Sequence, residues 1–112
     1  LVSSSAASDV YKRQVLALMT PGHTPGHMSF EIANGSQSAL IVGDALNNHH
    51  VAFKRPNWLS GLDQDPEMAA LTRQKLLNRS SSEDMLLIGF HLPEGGIGRV
   101  VQSGKEYSFA NI

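Results

Sequence analysis

MSFEIANGSQSALIVGD, Met28 to Asp44, holds two strands and the turn between them. Met28, Phe30 and Ile32 alternate with Ser29 and Glu31, the period of a half-buried strand. Asn34-Gly35 follows, a pair that tolerates the positive φ of a tight hairpin. Ala39 to Gly43 is then continuously apolar, as in a strand covered on both faces, and it stops at Asp44. A hairpin makes its strands antiparallel, so the start of the first lies beside the end of the second. Whatever precedes Met28 is therefore a neighbour of Asp44.

What precedes it is TPGHTPGH, Thr20 to His27, with two histidines four residues apart, each behind a Pro-Gly pair. Two chain-bending dipeptides in succession imply a backbone held to one shape. Ahead of them VLALM, Val15 to Met19, reads as a short buried strand ended by Thr-Pro. Beyond Asp44 the chain to Leu62 is irregular, with Pro56, Gly61 and the lone Trp58.

A helix then starts at Asp65 as cap, with Pro66 in its first turn and Glu67 near the positive end of its dipole. It is expected to run to about Arg79, with SSSED (Ser80 to Asp84) breaking it. Ala69, Ala70, Thr72, Leu76 and Leu77 share one arc with Arg73, while Met68 and Leu71 lie off it. Arg73 is expected to snorkel or to meet a carboxylate, with Asp63 as the candidate. Met85 to Phe90 is a second continuously apolar strand, stopping at His91; weaker strands around Arg99 to Val101 and Tyr107 to Phe109 close the chain.

A strand–helix–strand crossover most often returns parallel, with right-handed sense. That return would deliver His91 to the edge that already holds Asp44 and the tandem histidines. Carboxyl ends of buried parallel strands are where α/β folds build their sites. Two imidazoles and one carboxylate suit zinc, manganese or ferrous iron, although the same groups also describe a structural polar cluster. The hairpin count does not by itself select His23 over His27.

At 112 residues the chain is at most one small domain, and its 41% hydrophobic and 17% charged residues are an ordinary globular balance. A net charge of −1 gives no footprint for nucleic acid or an anionic membrane. No apolar run approaches the roughly 20 residues of a membrane span. With no cysteine, any metal would fall to His, Asp or Glu. Ser4 to Gln14, SSAASDVYKRQ, matches letter for letter the translation of a transposase adapter used in sequencing libraries. Residues 1–14 are therefore expected to be a disordered scar, with the fold occupying 15–112.

TPGHTPGH, the GDA that follows a buried strand, the DQDPE…TR helix and FHLP…GIGRV together resemble the metallo-β-lactamase superfamily, in particular its methyl parathion hydrolase-like and lactonase-like metallohydrolases. The resemblance implies the C-terminal half of an αββα sandwich, a mixed sheet with a flanking helix. It further implies two divalent metal ions, zinc with manganese or iron as alternatives, and hydrolysis of a small-molecule ester, lactone, β-lactam or organophosphate. On that pattern His23 is a ligand of the first metal, Asp44 the carboxylate bridging both, and His91 the last ligand of the second. His27 would brace the turn, while His49, His50 and Trp58 would stand behind the ligands or line the pocket. The superfamily's HxHxDH motif does not occur in these residues. The chain alone is therefore expected to be inactive and prone to dimerise or aggregate through an uncovered sheet face. The rival readings are a non-catalytic binding module and a di-iron electron-transfer protein.

Overall fold

Asn34 pairs with Gln37 across a tight turn, setting β2 (Met28–Asn34) antiparallel to β3 (Gln37–Ile41). The computed structural model describes residues 13–112. Gly35 takes the positive φ of the turn, 65°, while Asn34 stays in the ladder, so the turn is centred one residue later than the sequence suggests. On the far side of β2 lies β1 (Arg13–Met19). β1 takes in Arg13 and Gln14 ahead of the expected start at Val15; the rest of the adapter-like stretch lies outside the described residues.

The crossover runs as expected. A 3-10 turn over Gly43–Ala45 and a four-residue helix, α1 (Val51–Lys54), lead into α2 (Pro66–Ser82), and the chain returns as β4 (Leu86–Ile88), parallel to β3. β5 (Ile97–Ser103) and β6 (Glu106–Asn111) form a closing hairpin, completing a mixed sheet of six strands in sequential order. Asp65 caps α2 by accepting from the Met68 amide at 3.1 Å. The helix continues through Ser80–Ser82, inside the stretch the sequence marked as its break, and the chain turns away at Asp84 with φ 51°. Serines at a frayed last turn are tolerated because their hydroxyls bond back to the backbone, as Ser81 and Ser82 do to Asn78 and Arg79. Among the described residues no helix is long and apolar enough to cross a membrane.

The helices cover one face of the sheet. Leu18, Leu40, Leu87, Val100 and Tyr107 rise from that face to meet Phe53, Leu76 and Leu77 in one core. Arg73 is buried on the helical arc beside Ala69, Thr72 and Leu76, as the spacing predicts. The face of β2 that packs is nevertheless its polar one. Ser29 is fully buried and Glu31 pairs with Arg79 of α2, 2.7 Å apart.

The opposite face is apolar and open. Cross-strand neighbours Val15 and Ile32, and Met19 and Met28, sit there with Phe30, which is 42% exposed, and the row continues through Ile97 and Val101 of β5. Among the described residues β1 is accordingly an edge strand with one bare side, not the buried strand its composition suggests.

Candidate functional site

β1, β3 and β4 all run toward one rim of the sheet, and His23, Asp44 and His91 follow their ends. There His91 Nε2 lies 2.8 Å from Asp44 Oδ1, and His23 Nε2 lies 3.5 Å from Asp44 Oδ2. One carboxylate thus stands between two imidazoles brought from segments 47 and 21 residues away along the chain. Asp44 is half exposed, so the cluster faces solvent.

The Pro-Gly turn explains how His23 is held. Gly22 adopts φ 136°, and a Cβ there would fall 2.3 Å from the backbone of Ala69, so only glycine lets the turn press onto α2. Thr72 donates to the Pro21 carbonyl at 2.6 Å, and the amides of Gln64 and Asp65 donate to the carbonyls of His23 and Gly22. The turn is fastened to the start of the helix on both flanks.

The second histidine of the tandem faces inward. The Asp44 amide donates to His27 Nε2 at 3.2 Å, which leaves the neutral ring's proton on Nδ1, 2.8 Å from Thr20 Oγ1. Thr20 in turn lies 2.9 Å from buried Ser29 Oγ. Both ring nitrogens of His27 are therefore committed to hydrogen bonds, and the ring braces the backbone beneath Asp44. Thr20 and Ser29 are further members of this network; the only signal in the sequence was the polarity of Ser29 on the covered face of β2 and of Thr20 just past the end of β1.

His23 is arranged differently. Its Nδ1 lies 3.0 Å from Asp63 Oδ1, which as a carboxylate oxygen accepts; in the neutral ring that leaves Nε2 with its lone pair toward Asp44 Oδ2. Two lone pairs facing each other repel unless a cation or proton lies between them. Ligands about 2.0–2.1 Å from a tetrahedral zinc are themselves roughly 3.3 Å apart, close to the spacing of this pair. The donor chemistry thus fits a divalent cation. The Asp44–His91 contact is shorter, a direct hydrogen bond, and among the described residues no three such side chains surround one common point.

His49, His50 and Trp58 line a groove of about 580 Å³ between α1 and β6, floored by Val51 and Phe109. The two imidazoles pack against each other, with centroids 3.8 Å apart. Trp58 is 57% exposed, so it fills no core. Across the groove Arg55 pairs with Glu106 at 2.6 Å, and that hydrogen bond holds the Glu106 carboxyl below its ordinary value.

Comparison with solved structures agrees with this architecture. AbOPH, a hydrolase in the β-lactamase superfamily, is similar over 95% of this chain and 36% of its own, with a TM-score of 0.82 and 31% identity. AidC, a dizinc quorum-quenching lactonase, matches 97% of this chain and 37% of its own, with a TM-score of 0.82 and 23% identity. A quorum-quenching N-acyl homoserine lactone hydrolase matches 70% of this chain and 32% of its own, at 29% identity and a TM-score of 0.56. The chain therefore spans little more than a third of the length of the structures it matches. No protein-family model and no curated protein matches the sequence. Fold, strand order and these likenesses together make the chain a portion of the metallo-β-lactamase fold, related to the hydrolases and lactonases of that superfamily.

Proposed function

We propose that this chain supplies one side of a dinuclear metal-dependent hydrolase centre, with His23, Asp44 and His91 as its donors. The observation that carries the reading is the Asp44 carboxylate between two imidazoles, with His23 Nε2 turned toward it at 3.5 Å. Bound metal would lower the pKa of water to about 7 and polarise the oxygen under attack. Asp44 would offset the charge of two cations, and His23 and His91 would each present a neutral nitrogen. His27 and Thr20 keep the backbone of Asp44 from shifting. The remaining donors would come from an HxHxDH segment outside these residues.

The open apolar face supports the same reading, since a second layer laid against Phe30, Ile32 and Val15 would complete a sandwich and remove that surface from water. The substrate class is an ester, lactone, β-lactam or organophosphate, with the groove beside Trp58 and His49 as a wall of its pocket. The test is metal content and hydrolysis in the protein carrying its upstream coding sequence. About two zinc, manganese or iron ions per chain are expected, falling in His23→Ala and Asp44→Asn. A metal-free protein would overturn the reading.

The direct Asp44–His91 hydrogen bond favours a second reading, a binding module whose rim is held by a structural polar cluster. In that case His91→Ala lowers stability and leaves metal content at zero throughout.

A further inference from the structure

Asp63 is expected from sequence only as a partner of Arg73, yet its closest contact is the other ring nitrogen of His23. We propose that Asp63 is a positioning residue, one that fixes the His23 proton on Nδ1 and so aims the Nε2 lone pair at Asp44. The assignment rests on the reading of His23 as a metal donor.

The Asp63 side chain is 2% exposed, and a buried carboxylate needs partners. Arg73 supplies charge from 3.9 Å but no hydrogen bond. Its Nε donates instead to the Pro56 carbonyl and its Nη2 to the Trp58 carbonyl. Among the described residues Asp63 Oδ2 has no hydrogen-bond partner, so the strongest bond this carboxylate makes there goes to His23. Arg73 stands beside the other carboxylate oxygen without competing for the one that His23 uses.

The backbone fixes the alignment. Gln64 N to His23 O (3.1 Å) and Asp65 N to Gly22 O (2.9 Å) flank the side-chain pair, so the carboxylate cannot slide along the ring. Asp65 also caps α2, which ties the imidazole to the helix axis. Which nitrogen of a histidine binds a metal is set by the hydrogen bond the other one makes, and carboxylates in this place raise ligand basicity as well. Asp63 supplies that bond on the residue whose ring angle the Pro-Gly turn already restricts.

Long-range 1H–15N spectra of the protein carrying its upstream coding sequence, labelled at histidine, test the assignment. In the wild type the His23 proton is expected on Nδ1 alone, and added Zn2+ should move the Nε2 resonance while that proton stays. Asp63→Leu should release the ring to a mixture of tautomers and weaken Zn2+ binding by roughly 10–100-fold. Asp63→Asn, whose amide oxygen can still accept, should restore the tautomer. A wild-type ring protonated on Nε2, or a tautomer indifferent to Asp63→Leu, overturns the positioning role. Should Asp63→Leu fail to fold, the wild-type and Asp63→Asn spectra still decide. In the protein carrying its upstream coding sequence, where the remaining donors are present, a proton on Nδ1 with an Nε2 resonance unmoved by Zn2+ overturns the metal reading, and the positioning purpose with it.

Discussion

Arg79 on α2 meets Glu31 on β2 with 2.7 Å between Nη2 and Oε1, joining the helix to a strand whose covered face is its polar one. Burial lowers the affinity of the Arg79 guanidinium for its proton, but the hydrogen bonds to Glu31 and Glu83 outweigh that and raise it. The pair explains why Glu31 is turned inward: the helix brings a cation to it. Arg79→Met should leave a largely buried carboxylate without its donor and cost about 1–3 kcal/mol in urea unfolding. Arg79→Met combined with Glu31→Leu should recover most of the loss, because removing both members leaves no unpaired charge.

His27→Phe should be costly for a different reason. It takes away the acceptor of the Asp44 amide and the partner of Thr20 at once. A loss of about 1–3 kcal/mol is expected, read from the thermal midpoint. Metal retention in the complete protein should fall with it even though no donor has been replaced, because the backbone of Asp44 is no longer braced.

Glu106 joins β6 to the loop after α1 through Arg55. Its folded-state pKa is lowered below the ordinary 4.5, chiefly by the Arg55 hydrogen bond and secondarily by that residue's charge. Linkage fixes the sign: the unfolded chain binds this proton more readily, so the contribution is fully present above the unfolded value and is lost as pH falls through the folded one. NMR titration should find the Glu106 midpoint below 4.5, and Arg55→Gln should move it back up.

The uncovered face makes its own forecast. Phe30→Lys and Ile32→Thr lie on solvent-facing β2 positions and should change the unfolding free energy of the 112-residue chain by less than about 0.5 kcal/mol. Both should lower its concentration-dependent self-association in sedimentation runs. Ser29→Lys, one residue away but fully buried, should prevent folding. If Phe30→Lys proves as disruptive as Ser29→Lys, that face is covered in the isolated chain.

Much of this was legible from residue order. The hairpin turn, the parallel return of β4 and the buried arc of α2 follow from local rules, and together they bring His23, Asp44 and His91 to one rim. α1 was not legible, because four residues are too few to show a helical period. The strand ending at Phe90 was read too long: only Leu86–Ile88 pair, and Phe90 stands almost wholly exposed. Alternation in β2 gave two faces but not which one the helices cover, since that depends on Arg79 lying 48 residues away. The bond from Asp63 to His23 was hidden for the same reason, being a contact across 40 residues.

Gly22 against Ala69 sets how near the histidine turn can come to the helix. That clearance is less than one methyl group, so positions 22 and 69 are a matched couple. A hybrid protein that borrows this helix from a cousin should inherit a misplaced His23 unless it borrows the turn too. Evolution is therefore expected to trade the two segments as a single cassette, even though more than forty residues separate them in the chain.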